Sequence, residues 1–288
     1  MPATSANLGP GFDCLGLALG RYDEVSARVS TSGLQISVTG AGHDSVARDE
    51  SHLVVRAMRA TFDRLGAQPA GLALRCVNRI PHGRGLGSSA AAIVAGVELA
   101  RGLVTGGHDQ LDSDAVLALA SEIEGHPDNV AACLLGGLTI AWTADGVGRA
   151  TRIEPQGVRP VVFIPPTESS THVARGALPQ SVPHADAAFN VSRAALLVVA
   201  MTGKPELLPV ATQDRLHQGY RAAAMPETAQ LVARLRSAGI AAVVSGAGSS
   251  VLSLAATDDQ VAAATALAPD GWECAQLPVA DGASIRSG

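Results

Sequence analysis

"PHGRGLGSSAAAIVAG", residues 81 to 96, places three glycines on alternate positions, two serines directly after them, and then a long alanine-rich apolar run. Glycines let backbone N–H groups turn inward and approach an anion. A serine at a helix start can cap the end whose positive dipole points at the same place. That combination suits a phosphate, but it is equally an ordinary strand-to-helix turn, in which glycine and serine are common. Gly83, Gly85 and Gly87 spell G-x-G-x-G, which fits neither the dinucleotide pattern G-x-G-x-x-G nor the loop that ends in G-K-[ST].

The flanking segments set this loop between a strand and a helix. Upstream, "AGLALRCVNRI" reads as extended, and "SHLVVRAMRATFDRLG" carries Leu53, Val54, Ala57, Met58, Phe62 and Leu65 at helical spacing, with Ser51 as cap and Gly66 as stop. Further back, "DEVSARVS" and "GLQISVTG" alternate with period two around "TSG", which predicts a hairpin. Downstream, a helix is predicted from about Ser113 to Glu124, then the polar break "EGHPDNV", then a strand "GLTIAWT". "ADGVGRATRIEPQGVRP" is rich in Gly, Pro and charge and marks a boundary near residue 155. Beyond it come a strand "VVFIP", helices at 186–200 and 206–220, the helix "PETAQLVARLRSAG", strands "IAAVVS" and "VLSLA" about the turn "GAGSS", the helix "DDQVAAATALA" and the strand "WECAQLPV". This mixture predicts an α+β fold whose C-terminal part has a ferredoxin-like order.

Composition narrows the function. At 288 residues, two domains are expected, and 47% hydrophobic against 16% charged residues describes a folded chain. A net charge of −5 and 3% aromatics supply neither a basic stripe nor stacking platforms, which disfavours nucleic acid. Lys204 is the sole lysine, in a loop context, so lysine-dependent mechanisms are handicapped. Cys14, Cys76, Cys133 and Cys274 lack metal or disulfide spacing. The absence of a leader pattern and of a long apolar run predicts a cytoplasmic protein.

Four ordered segments carry a resemblance. "P-x-x-x-G-L-G-S-S-A-A", beginning at Pro81, resembles the phosphate loop of the GHMP kinases, a family of small-molecule kinases. "PATSANLGPGFDCLGLAL", residues 2 to 19, is similar to that family's first motif in the form carried by members that phosphorylate L-homoserine. "EGHPDNVAACLLGG" and "VVSGAGSSV", residues 243 to 251, follow in the family's order. The resemblance implies a two-domain fold, with an ATP-binding domain over 1–155 and a ferredoxin-like sandwich over 156–288. It also implies transfer of the γ-phosphoryl group of ATP to the hydroxyl of L-homoserine, for threonine synthesis. ATP would be held by Pro81, Gly83, Arg84, Gly85, Leu86, Gly87, Ser88, Ser89, Ala90 and Ala91, and Mg²⁺ by Ser88 and Glu124 in preference to Glu122. The adenine is expected near Asn78 and Arg79, by proximity to the loop.

A homoserine site must hold an ammonium, a carboxylate and a hydroxyl together, which calls for an acid, arginines and neutral amides. By the same resemblance Asp13 would bind the ammonium, and Arg175 and Arg221 the carboxylate. Thr171 would stand beside the substrate, with His126 in the same loop. Asn7 and Asn129 would lie near the hydroxyl, and Asp128 is a candidate base. Each residue alone has a bland reading, as an Asx turn or a solvated surface charge. His82, His172 and His217 are read as surface or packing residues. Two other readings stay open: a kinase for another small alcohol, and a non-catalytic sensor on the same scaffold. A homodimer is the family expectation. Family members have a short strand before the first motif, whereas this motif begins at Pro2; either the start is misassigned or that strand is lacking, which would leave its pairing partner with an open edge and Asn7 loosely held.

Overall fold

The computed structural model describes residues 1–168 and 171–286, without the side chains of 171–173. Its elements in chain order begin with β1 (Pro2–Ala6), β2 (Leu15–Tyr22), β3 (Glu24–Ser30), β4 (Gly33–Gly40), α1 (Leu53–Arg64) and β5 (Gly71–Asn78). There follow α2 (Ser88–Leu103), α3 (Gly107–Gln110), α4 (Ser113–Glu124), α5 (Pro127–Leu135), β6 (Leu138–Ala144) and β7 (Val147–Ile153). The remainder comprises β8 (Arg159–Ile164), α6 (Thr171–Gly176), α7 (His184–Met201), α8 (Leu208–Ala211), α9 (Gln218–Arg221), α10 (Pro226–Ser237), β9 (Ala241–Val244), β10 (Val251–Ala255), α11 (Asp258–Thr265) and β11 (Glu273–Gln276).

The strands form sheets ordered β1-β2-β6-β7, β3-β5-β4 and β11-β8-β10-β9. The last is antiparallel throughout, and its order is the ferredoxin-like one expected from the C-terminal pattern. Its central strand β8 explains the unbroken apolar run "VVFI": Val162 and Ile164 enter the main core, while Val161 and Phe163 meet Leu231 and Leu235 of α10 and Ala264 of α11 on the other face. The main core also gathers Leu17, Ile93, Val130 and Leu138 with Leu197, Val243 and Leu252, so the sequence before and after residue 155 shares one interior. A further exchange occurs at the end of the chain, where Val279 bridges Leu19 and Asp281 bridges Gly136.

Several sequence expectations need correction. The β3/β4 hairpin does not form: β5 inserts between them, antiparallel to β3 and parallel to β4, with α1 as the crossover. Burial decides this, because β5 at the centre brings Leu72, Leu74 and Cys76 onto Met58 and Phe62 of α1. Ser51 is not the cap of α1; His52 takes that position, and Ser51 bonds Asp49 instead. The polar break contains the start of α5, with Pro127 at its first turn, where a missing N–H costs nothing. The segment read as a boundary contains β7, paired with β6 through a turn at Asp145 and Gly146, both with positive φ. The helix expected over 206–220 is broken into short pieces, α8 and α9.

Nor is the first motif loosely held. Its own residues 2–6 are the strand, fully buried and paired with β2. Its other side is covered by the glycine loop, since Thr4 N donates to Leu86 O at 3.0 Å.

Candidate functional site

The three glycine-bearing motifs meet at one point. Ser245 Oγ donates to Gly85 O at 2.6 Å, Ser250 N donates to Arg84 O, and Gly246 N donates to Ala6 O. The glycine at 85 is obligatory on two counts. Its φ is +68°, and a Cβ there would stand 2.1 Å from Ser245 O and 2.8 Å from Gly248 O. Gly87, at φ +70°, occupies the N-cap of α2, and a Cβ on it would lie 1.9 Å from Thr4 Oγ1. No side chain caps α2, so neither Ser88 nor Ser89 serves as its cap and its first-turn N–H groups remain available to an anion.

Around this loop lies a cleft lined by Asn7, Asp13, Gly83, Gly85, Leu86, Gly87, Ser88, Ser89, Glu124, His126, Asp128, Asn129, Arg175, Arg221 and the Gly246–Ala247 turn. Asn7 is pinned at both ends of its amide: Nδ2 donates to Gly246 O at 2.8 Å, and Oδ1 accepts from Asp13 N at 2.9 Å. The Asp13 side chain is exposed to the cleft, but the protein around its carboxyl and the nearby Asp128 carboxylate raise its pKa, against the opposing pull of His126, Arg175 and Arg221. Its negative charge is therefore under-compensated and favours a cationic partner.

Glu124 ends α4 at the cleft and accepts from Ser89 Oγ at 2.6 Å. Burial raises its pKa above the ordinary value, and the Ser89 bond and His126 only partly offset this. Glu122 is exposed and pairs with Arg64, away from the cleft. His126, the N-cap of α5, bonds the buried Asp128 through Nδ1, and this contact raises the imidazole pKa against a desolvation penalty. Asp128 also accepts from Asn129 N, while Asn129, which lines the cleft, accepts at Oδ1 from Thr4 Oγ1 at 2.8 Å.

Arg221 is almost wholly buried. Its Nε donates to Ala174 O at 3.0 Å, and burial lowers its pKa. Arg175, exposed on α6, faces the same cleft. Two residues of the expected phosphate segment turn elsewhere. The Arg84 guanidinium is occupied by carbonyls of His82, Pro165 and Pro166, and Ala90 faces the core. Pro81 does not line the cleft, and the Thr171 and His172 side chains lie outside those described. His217, read as surface or packing, is fully buried and contacts Arg221 directly.

A second cavity, of about 280 Å³, continues from Ser88 and Ser89 and is walled by Val25, Val54, Cys76, Asn78, Ala91 and Ala92. Asn78 therefore faces it, whereas Arg79 bonds Tyr22 O and Glu24 on the outside. Among the described residues no trio of His, Cys, Asp or Glu could hold a metal, and no helix is long and apolar enough to cross a membrane.

Comparison with known proteins places this geometry. The GHMP kinases N terminal domain matches residues 52–137, and the GHMP kinases C terminal domain matches 198–269. The chain belongs to the GHMP kinase family. It is 59% identical to homoserine kinase of Streptomyces avermitilis over 99% of this chain and 94% of that protein. It is also 59% identical to homoserine kinase of Streptomyces coelicolor over 96% and 90%. Its fold matches the crystal structure of homoserine kinase from Cytophaga hutchinsonii with a TM-score of 0.85, at 26% identity, over 98% and 94% of the two chains. The L. major mevalonate kinase in complex with R-mevalonate shares the fold at a TM-score of 0.73 and 18% identity, over 98% and 95%.

Proposed function

We propose that this GHMP kinase phosphorylates the hydroxyl of L-homoserine with ATP, forming O-phospho-L-homoserine for threonine biosynthesis. The observation that carries the reading is the pairing, in one cleft, of an under-compensated acid, Asp13, with two arginines, Arg175 and Arg221, beside the glycine loop. Opposite charges so placed fit the ammonium and carboxylate of one zwitterion, and guanidinium forks suit the carboxylate. The relatives named homoserine kinase, at 59% identity, support the same substrate.

In this reading the N–H groups around Gly85 to Ser89 grip the β- and γ-phosphates at the α2 N-terminus, and the adenine occupies the apolar cavity between Val54, Asn78 and Ala91. Ser88 and Glu124 are the hard oxygen donors that fit Mg²⁺, which needs only one or two protein ligands beside phosphate oxygens and water. Ser89, already bonded to Glu124, orients that carboxylate. When bound, the ion would neutralise charge on the transferring group. Asn7 and Asn129 align the attacking hydroxyl. The loose transition state of phosphoryl transfer asks mainly for alignment and charge neutralisation, and alignment alone is worth up to about 7–11 kcal/mol. Asp128, engaged by His126 and by Asn129 N, is better occupied in fixing those two residues than in taking a proton. We assign it positioning first. The homodimer and a cytoplasmic location belong to the same proposal.

ADP release measured with homoserine, threonine, shikimate and mevalonate tests this. Turnover confined to homoserine is expected. Turnover on another alcohol instead, or nucleotide binding with no turnover on any of the four, would overturn the assignment.

A further inference from the structure

The carboxylate side of the cleft is built on a buried histidine that has no part in the reaction as described. We infer that His217 is a positioning residue that fixes the separation of the two charged jaws of the substrate site, holding Arg221 with one ring nitrogen and the Asp13 loop with the other. The inference rests on Arg221 being a carboxylate ligand.

The geometry is specific. Arg221 Nη1 lies 3.0 Å from His217 Nδ1, and a guanidinium can only donate, so Nδ1 must accept. The ring proton then sits on Nε2, which donates to Gly9 O at 2.8 Å. Gly9 and Asp13 belong to the one loop that joins β1 to β2, and that loop is itself tied at Asp13 N to Asn7. A single imidazole thus spans from the acid's loop to the guanidinium. Phe12, from the same loop, stacks on the ring at 5.0 Å and presents its face to the Arg221 guanidinium at 5.6 Å.

The other surroundings hold the ring in that state. Asp214 receives the backbone N–H groups of Leu216, His217 and Gln218, which locks the turn carrying the histidine, and stands 3.7 Å from Nε2. Burial lowers the His217 pKa, and the Arg221 charge adds to this against Asp214 and the Gly9 bond, so the ring stays neutral and Nδ1 stays an acceptor. Arg221 in turn donates to Ala174 O, next to Arg175, so the position of Arg221 also supports the helix bearing the second arginine.

Two substitutions separate the two ring nitrogens. Asparagine in place of histidine puts an acceptor near the Nδ1 position but cannot reach Gly9, whereas glutamine reaches toward Gly9 and leaves Arg221 without its acceptor. Steady-state kinetics of His217→Asn, His217→Gln and Arg221→Met, with homoserine and ATP varied in turn, test the inference, and a melting temperature is recorded for each. Expected for His217→Gln is a rise in the homoserine KM of about tenfold or more, the scale of losing a hydrogen bond to a charged group, with the ATP KM within about twofold. His217→Asn, which keeps the Arg221 acceptor but releases the Gly9 side, is expected to raise the same KM by a smaller factor. If Arg221→Met raises the homoserine KM while neither His217 variant does, or while both shift the two KM values together, the inference is overturned and the substrate reading stands. If Arg221→Met leaves the homoserine KM unchanged, the carboxylate reading falls and the inference with it. Should His217→Gln not fold, ¹⁵N NMR of the wild-type imidazoles decides: a neutral ring protonated at Nε2 is expected, and a charged ring or one protonated at Nδ1 overturns the inference.

Discussion

Substituting alanine for Gly85 tests the convergence of the three glycine motifs directly. At φ +68° any side chain incurs about 1–2 kcal/mol of left-handed backbone strain. The new Cβ would also stand 2.1 Å from Ser245 O and 3.0 Å from Gly248 N, both backbone atoms that cannot swing aside. Overpacking of this kind adds about 1–3 kcal/mol, giving a total of ~2–5 kcal/mol. The same molecule supplies a control. Gly66 has φ +65° and nothing within 4 Å of its would-be Cβ, so Gly66→Ala incurs the backbone strain alone. At roughly 2–4 °C per kcal/mol for a chain of this size, the overpacking alone should make Gly85→Ala melt roughly 2–12 °C below Gly66→Ala in a thermal scan at one pH. It should also raise the ATP KM, which Gly66→Ala should leave alone. If the two variants melt together, the phosphate loop is not clamped by the 245–250 turn, and the reasoning that assembles the site from both halves of the chain fails.

Three further outcomes are expected. Glu124→Gln should cut kcat by about a hundredfold or more, as removal of a group that stabilises transition-state charge does, and should steepen the Mg²⁺ requirement. The same variant should not lower the melting temperature at pH 8: a carboxylate whose folded pKa is raised by burial supports the fold only when protonated and loses that support as pH rises. Asp13→Asn should raise the homoserine KM by about tenfold or more while leaving the ATP KM unchanged, measured by varying each substrate in turn. His126, held above its ordinary value chiefly by Asp128, gives stability that is complete below the unfolded value of about 6.5 and is lost as pH climbs through the higher folded value. Asp128→Asn should therefore flatten the decline of melting temperature between about pH 6 and 8; an unchanged slope would remove the His126 assignment.

Local signals carried most of the elements. Helical spacing located α1, the alanine-rich run after the glycines located α2, and the apolar run "VVFI" located β8, because each depends on neighbours a few residues away. β3 and β4 do not pair because a period-two pattern gives a strand its faces but not its partner, and β5, thirty residues later, lies between them with Leu72, Leu74 and Cys76 packed on α1. Two further elements carry local signals: Asp145-Gly146 between alternating segments is a strong hairpin marker set amid charge, and Pro127 with Gly136 after the last helical residue brackets α5. At the site, the motif residues were reached through the family resemblance, since each alone reads equally as an Asx turn or a solvated charge, and the fold brings most of them to one cleft. The role of Arg84 was not legible, since nothing local foretold carbonyls at Pro165 and Pro166. His217 carries no pattern of its own; only the fold brings it to Gly9 from the far half of the chain.

The bridge between Val279 and Leu19 bears on how this protein is made. A ribosome releases Val279 260 residues after Leu19, so the N-terminal sheet must wait through the synthesis of that much chain for one of its contacts. Nascent chains stalled before Val279 emerges should therefore be more readily cut by protease near β2 than chains stalled just after it.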